Sequence, residues 1–182
     1  MSFAQVFLIK NSKMIGKLTS GEIENLLHQQ FIGHLGCHDK DTVYVVPVSY
    51  AYDGGNIYCH SLEGQKVAMM RNNPKVCFQV DEMKDMANWK SVITWGDFEE
   101  IDDQMERTKA LHILSARRLP ISSSITTHLG ETWPFTDEGA NVLKGIAGLF
   151  FRISLKEKSG EYESSSVSPQ PILGYVIGEG IV

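Results

Sequence analysis

The chain has 182 residues, of which 42% are hydrophobic and 21% are charged, and its formal net charge is −5. This size fits one soluble domain with a substantial core, spanning residues 1–182. The acidic balance argues against nucleic acid or an anionic membrane as a general partner, and the apolar runs are too short to cross a bilayer. Three cysteines without framework spacing, and an N-terminus without signal-peptide character, predict a cytoplasmic protein with reduced thiols.

The first predicted element is an amphipathic helix. Thr19 and Glu22 have the spacing of a capping box, and Ile23, Leu26 and Phe31 then follow on one helical face. A strand is predicted over residues 32–38, and a polar turn at residues 39–41 leads out of it.

A hairpin is predicted next. β-branched and aromatic residues dominate residues 43–52, and the turn Asp53-Gly54-Gly55 leads into a second strand at Ile57 and Tyr58. Pro47 lies inside the first strand, where a proline forfeits a ladder hydrogen bond and is tolerated mainly at an edge or a bulge. The strand is therefore expected to leave backbone groups available for something other than a neighbouring strand.

The remaining elements follow in short segments. A helix is predicted over Gln65–Asn72, and strands are predicted over residues 76–80 and 90–101, the second with a bulge at Gly96. Asp102 or Asp103 caps a further helix that ends near Arg117, and an ordered loop follows over residues 122–135. The last predicted strand covers residues 149–155.

This pattern predicts a mainly β, α+β fold, namely a small antiparallel barrel of six strands with peripheral helices. The barrel core spans residues 17–155 and a C-terminal tail spans residues 156–182. Within the tail, residues 156–170 are polar and predicted to be mobile, and residues 172–182 are apolar.

The end of the hairpin gathers groups that suit a phosphate. His60 and Ser61 close the second strand, and Lys66 lies in the first turn of the helix that follows. A cation near a helix N-terminus is mildly unfavourable, and a bound anion reverses that balance. The alternative is a solvated hairpin end with a lysine at a helix start. The residues alone leave both interpretations open.

Other sites receive little support. Cys37-His38 and Cys59-His60 could suggest metal binding, but adjacent strand residues point to opposite faces, so no metal site is predicted. The chain lacks a dinucleotide glycine motif, a P-loop and the nucleophile elbow of esterases.

The segment VVPVSYAYDGGNIYCHSLEGQK, with NNPKVCFQVDE and WKSVITWG behind it, resembles the FMN-binding split-barrel family related to pyridoxamine 5'-phosphate oxidase. The nitroimidazole-resistance-like branch is the most similar part of that family. The resemblance covers roughly residues 17–101 and implies a homodimer of six-stranded split barrels, with FMN in the groove between the subunits.

The resemblance also implies which residues bind FMN. The isoalloxazine ring would lie along a backbone segment formed by Val46, Pro47, Val48 and Ser49. The phosphate would be held by His60, Ser61 and Lys66, and Ser91 matches a family position that contacts the flavin or its phosphate. Gln65 stands where many members have Arg or His, and the arginine-rich C-terminal signature for pyridoxal phosphate is missing. True pyridoxamine-phosphate oxidase activity is therefore not expected.

The function implied is that of an FMN-dependent oxidoreductase, which passes electrons from a reduced nucleotide to a small planar acceptor such as a nitroaromatic or a quinone. No catalytic side chain is named, because the cofactor performs the redox chemistry. Trp89, Trp95 and Trp133 are candidates for a substrate-side wall. One alternative is a flavin carrier or sensor without dedicated turnover. Another replaces FMN by haem, with His60 or His128 as axial ligand, or by a deazaflavin.

Overall fold

In the computed structural model, which describes residues 13–117 and 148–165, the described chain forms one antiparallel sheet of eight strands and three helices. The strands are β1 (Lys13–Lys17), β2 (Ile32–Asp39), β3 (Thr42–Ser49), β4 (Ala51–Tyr52), β5 (Asn56–Ser61), β6 (Lys75–Asp85), β7 (Asn88–Ile101) and β8 (Leu149–Ser165). The helices are α1 (Ser20–Gln29), α2 (Gln65–Asn72) and α3 (Gln104–Ser115). The predicted mainly β, α+β class is confirmed.

The order of the strands explains why the barrel is split. Neighbouring strands follow the order β3-β2-β6-β7-β8-β5-β4, and β1 pairs with β8. β3 and β4 therefore lie at opposite ends of the sheet, although only Tyr50 separates them in sequence. The sheet curls until β3 approaches β5, but among the described strands these two do not pair. We call this open boundary between β3 and β5 the seam.

The described sheet has eight strands, so the predicted number of six was wrong. β1 adds one strand along the end of β8. The strand predicted over residues 43–52 is interrupted at Tyr50, whose N–H donates to the Phe31 carbonyl and whose hydroxyl donates to the Leu27 carbonyl at 2.8 Å. Because of this interruption β3 pairs with β2, and only β4 forms the predicted hairpin with β5.

Short-range sequence signals are confirmed at the start of α1 and in the β4–β5 turn. The Thr19 N–H donates to Oε2 of Glu22 at 2.9 Å, which completes the capping box. In the turn, the Asp53 carboxylate accepts the Gly55 N–H at 2.9 Å. Gly54 has a φ of 103°, which a residue without a Cβ adopts readily.

β5 separates two apolar clusters. Ile57 and Cys59 belong to the main cluster, which also contains the buried faces of α1 and α2. Tyr58 points to the other side, where it packs with Phe150 and Leu111 beneath α3. Adjacent strand residues face opposite sides of the sheet, so one side of β5 packs in the cluster that contains α2 and the other side packs in the cluster that contains α3.

β8 is longer than the sequence predicts. It continues past residue 155 to Ser165, so the expectation of a mobile segment immediately after residue 155 was wrong. The second half of β8 pairs with β7 on one side and with β1 on the other. The register between β7 and β8 shifts at Gly96, where a bulge was predicted. Pairing on both edges therefore orders a polar segment whose composition alone suggests disorder.

Two predicted features lie outside the described residues. They are the loop predicted over residues 122–135, which includes Trp133, and the apolar stretch 172–182. Among the described helices, none is long and apolar enough to cross a membrane.

Candidate functional site

β3 presents an open backbone edge to the seam. Its register with β2 places Ile32 opposite Ser49, and the hydrogen bond from the Tyr50 N–H to the Phe31 carbonyl continues that register. The hydrogen-bonded pairs of an antiparallel ladder recur every second residue, so the even-numbered residues of β3 bond to β2. The odd-numbered residues from 43 to 47 therefore direct their backbone groups away from β2, where no described strand pairs with β3.

Pro47 is suited to this edge. The position of its missing N–H faces the seam, so β3 loses no ladder hydrogen bond to β2, contrary to the expectation from the sequence. The prediction that Pro47 marks an edge strand is confirmed. Val46 and Val48 pack inward against the main cluster, and Ser49 is half-buried at the strand end. This segment thus combines firm packing with backbone groups directed toward the seam.

The outer face of the sheet is unusually apolar next to this edge. In the register, Val45 is opposite Gly36, Gly36 is opposite Cys77, and Cys77 is opposite Trp95, so these four residues share one face. The large apolar side chains exposed on this face include Ile32, Val43, Val45, Ile93 and Trp95. Val43 is the most exposed of them, at 74%. A contiguous exposed apolar patch commonly marks an interaction surface; we call it the outer face.

His60 and Ser61 lie at the end of β5, and their side chains point to opposite faces. The His60 ring packs against Phe150, with 4.9 Å between the ring centroids, and His60 is 9% exposed. The Ser61 hydroxyl donates to the Leu62 carbonyl at 2.7 Å, and Ser61 is 2% exposed. Both residues are therefore more buried than a hairpin end suggests.

Lys66 lies half-buried in the first turn of α2. α2 follows β5 in the chain and packs against β2, and the Lys66 ammonium partly offsets the rise in the pKa of the Cys37 and Cys59 thiols. Burial raises the pKa of both thiols, so they are neutral at physiological pH and cannot compensate the lysine charge. Within the described part of the chain, Lys66 has no hydrogen bond and no carboxylate partner. A half-buried cation of this kind favours an anionic ligand.

Arg71, which the sequence did not single out, lies in the last turn of α2 and joins three elements. Its Nη1 and Nη2 donate to the two carboxylate oxygens of Glu63 at 3.0 and 2.9 Å. Its Nε and Nη2 donate to the two oxygens of Glu100 at 2.8 Å each. The hydrogen bonds from Arg71 hold the pKa of Glu100 below its usual range. Glu63 and Arg71 are eight residues apart and Glu100 comes from β7, so no local spacing rule could have found this bridge.

Arg117 is a second residue that the sequence did not assign to the site. Its Nη1 donates to the Tyr50 carbonyl at 2.8 Å, and its Nη2 donates to the carbonyls of His28 and Gln30. The guanidinium also stacks on the rings of Phe31 and Tyr50, 4.8 and 5.0 Å from their centroids. It therefore ties the end of α1 to the chain between β3 and β4, next to Ser49.

Ser91 lies apart from the corner formed by β5 and α2. It is opposite Glu161 on β8, whereas Ser61 is opposite Leu149, twelve residues earlier on the same strand. That separation corresponds to about 40 Å in an extended strand. The Ser91 hydroxyl accepts a hydrogen bond from the Gln79 side chain at 3.1 Å. Within one chain the structure places residues 46–49 at the seam and packs α2, which carries Lys66, against β2, but it does not bring Ser91 to Ser61.

The predicted tryptophan wall is not assembled by the described residues. The Trp89 indole N–H donates to Glu163 at 3.1 Å, near the β6–β7 turn. Trp95 is 41% exposed on the outer face. Trp133 lies outside the described residues.

Comparison with known proteins identifies the family. The sequence profile described as Pyridoxamine 5'-phosphate oxidase matches residues 19–134, so the chain belongs to this family. An uncharacterised protein of Rhizobium meliloti is 41% identical over 70 residues, which is 38% of this chain and 46% of that protein. The matched part thus spans about half the length of this curated relative.

Solved structures agree with this assignment. An FAD-binding protein from Mesorhizobium loti has 29% identity and a TM-score of 0.60, covering 82% of this chain and 98% of that one. A candidate 5-nitroimidazole antibiotic resistance protein from Bacteroides thetaiotaomicron has 18% identity and a TM-score of 0.62, covering 84% and 89%. The flavocytochrome Anf3 from Azotobacter vinelandii has 16% identity and a TM-score of 0.59, covering 90% and 87%. The suspected family and the split-barrel fold are confirmed.

Proposed function

We propose that this protein is an FMN-dependent oxidoreductase that passes electrons from a reduced nucleotide to a small planar acceptor, such as a nitroaromatic or a quinone. Its family and the flavin-binding names of its structural neighbours support the flavin. The observation that carries the choice of FMN is the half-buried Lys66, which has no partner among the described residues and suits one terminal phosphate. The open edge of β3 suits the polar edge of the flavin ring.

Each part of the site has a separate task in this proposal. FMN, when bound, would supply the redox chemistry through its isoalloxazine ring. The backbone of residues 46–49 would orient the ring edge, and Lys66 would neutralise the phosphate together with His60 and Ser61. Because His60 and Ser61 are buried, Lys66 is the most accessible of the three side chains. The chain binds, orients and shields the cofactor, and no side chain is assigned as a catalytic acid or base.

We extend the proposal to a homodimer with FMN at the subunit interface. The outer face gives this assembly a surface, since it includes β3 and exposes large apolar side chains such as Val43, Val45 and Trp95. Ser91 shares the outer face with Gln79, His34 and Pro47, so a second subunit packed there could bring Ser91 to the partner's ligand. The buried free thiols Cys37 and Cys59 are consistent with a cytoplasmic location.

Spectroscopy of the purified protein tests the cofactor. A yellow preparation that releases FMN rather than FAD on acid treatment is the expected result. A reduced nicotinamide nucleotide should then drive the reduction of a nitroaromatic or a quinone. Bound FMN with negligible turnover would instead indicate a flavin carrier or sensor. A haem or deazaflavin spectrum would show that the protein binds that group in place of FMN. A colourless preparation that FMN cannot reconstitute contradicts the proposal.

Light scattering tests the assembly. The expected mass is about twice the chain mass of 20.3 kDa. Val45→Lys places a charge in the middle of the outer face and should shift the protein to monomer with loss of FMN. Met86→Lys is the matched control, because Met86 is 94% exposed in the β6–β7 turn, away from the outer face. If the wild-type protein is a monomer and still binds FMN tightly, the proposal that FMN binds at the subunit interface is wrong.

A further inference from the structure

Among the described residues, no carboxylate forms an ion pair with Lys66. Glu63 lies three residues before Lys66, in the loop between β5 and α2. Both oxygens of Glu63 accept hydrogen bonds from Arg71, and both oxygens of Glu100 do the same. One guanidinium therefore holds two carboxylates that would otherwise be available to a neighbouring cation.

Glu63 is the carboxylate that needs such a restraint. Its side chain is 65% exposed, and among the described residues Arg71 is its only hydrogen-bond partner. Glu63 lies just before the N-cap Gly64 and only three residues from Lys66, so the two long side chains can reach each other if the Glu63 carboxylate is not held elsewhere. That pair would neutralise Lys66 and place a negative charge where an anionic ligand would bind.

We propose that Arg71 is a positioning residue that holds Glu63 away from Lys66, so that the lysine ammonium remains available to an anionic ligand. The identity of that anion, the phosphate of FMN, rests on the proposed function. The role assigned to Arg71 rests on the four hydrogen bonds alone. Glu100 anchors the guanidinium from β7, which fixes the direction in which Glu63 is held.

The chain offers a closely matched bridge for comparison. Arg152 donates to both oxygens of Glu99, at 2.8 and 2.7 Å, and to Glu106 at 3.1 Å. Glu99 and Glu100 are adjacent on β7 and point to opposite faces, so the two bridges have the same chemistry on two sides of one strand. The carboxylates that Arg152 holds come from β7 and α3, not from the loop before α2. Arg152→Met therefore measures the loss of a bridge that does not involve the loop carrying Glu63.

Binding titrations with FMN and riboflavin test the proposal. Arg71→Met should weaken FMN binding by about five-fold and leave riboflavin unchanged, because riboflavin has no phosphate. Adding Glu63→Gln to Arg71→Met should restore FMN affinity to within about two-fold of wild type, since the competing carboxylate is gone. Arg152→Met should change neither affinity.

Each other outcome overturns the proposal. If Arg71→Met leaves FMN affinity unchanged, the bridge is only a surface ion pair. If the double variant stays as weak as Arg71→Met, or if riboflavin weakens equally, Arg71 merely supports the fold. Gln65→Glu gives a second test that keeps the bridge intact: an unrestrained carboxylate beside Lys66 should lower FMN affinity to a similar extent, and no change contradicts the competition.

A labelling experiment separates this inference from the proposed function. Acetic anhydride reacts with lysines according to their availability, and mass spectrometry reports each site. The rate at Lys66 should fall in Arg71→Met and recover in Arg71→Met/Glu63→Gln, whether or not the protein binds flavin. An unchanged rate in Arg71→Met rejects the role of Arg71, whereas a protein that shows the change but binds no FMN rejects only the proposed function.

Discussion

The edge of β3 and the corner formed by β5 and α2 have opposite chemistry. Residues 46–49 carry no charged side chain and offer backbone groups. The corner concentrates charge, with Lys66, Arg71 and Glu63 within nine residues. Backbone groups suit the uncharged flavin ring, whereas an ammonium suits a phosphate. The comparison teaches that the two halves of the ligand can be tested separately, because riboflavin contains only the half that β3 would bind.

The largest expected effect comes from removing the charge at the corner. Lys66→Ala should lower FMN affinity by about 10- to 100-fold, equivalent to roughly 1.5–3 kcal/mol, because one charge-assisted contact to the phosphate is lost. Riboflavin affinity should hardly change. Fluorescence titration with both ligands measures the difference. Lys84→Ala is the control, since Lys84 is 73% exposed on β6, and equal weakening of both ligands in Lys66→Ala would falsify the charge assignment.

The second-largest expected effect comes from adding a side chain at Gly148, which lies against Ser61 at the end of β5. Gly148 has a φ of 98°, and a Cβ there would lie 2.4 Å from the Ser61 carbonyl oxygen. Gly148→Ala should therefore lower the free energy of unfolding by about 1–3 kcal/mol. Urea denaturation measures this loss. Gly21→Ala is the matched control, because Gly21 is helical with nothing within 4 Å of the added carbon, and it should not destabilise the protein. Equal stability of the two variants contradicts the prediction.

The smallest expected effect lies at the β3 edge. Pro47→Ala adds an N–H on the seam side and frees φ, so the ring-binding backbone becomes less well ordered. Both FMN and riboflavin should bind about three-fold more weakly. The ratio of the two affinities is the internal control and should stay at its wild-type value. A change in FMN affinity alone would mean that β3 contributes to phosphate binding, and the comparison between edge and corner would then fail.

The sequence predicted the features that depend on neighbouring residues. Thr19 and Glu22 form the capping box, the Asp53 turn forms, and Pro47 marks an edge strand. The capping box and the turn depend on interactions between residues close in sequence. The edge-strand prediction depends on the backbone N–H that Pro47 lacks. The pattern of elements also predicted a small antiparallel barrel and a corner suited to a phosphate. The family resemblance added the split form of the barrel and the assignment of residues 46–49 and Ser91 to a flavin.

Long-range contacts account for what the sequence did not predict. Tyr50 interrupts the predicted strand because its N–H and hydroxyl bond to Phe31 and Leu27, about twenty residues away. Arg71 meets Glu100 across 29 residues. The polar end of β8 is ordered by β1, at the other end of the described chain. Composition and periodicity hold no information about such partners.

The position of β8 between β7 and β5 has a consequence for the order of folding. Residues up to 117 supply every described strand except β8, but without β8 they leave β7 and β5 without their shared neighbour. The sheet therefore becomes continuous only after residues 149–165 have been synthesised and have paired with strands from about fifty to a hundred residues earlier. Such non-local pairing slows folding and prolongs the exposure of unpaired strand edges. Until β8 is available, the nascent chain exposes the edges of β5 and β7 that β8 later covers.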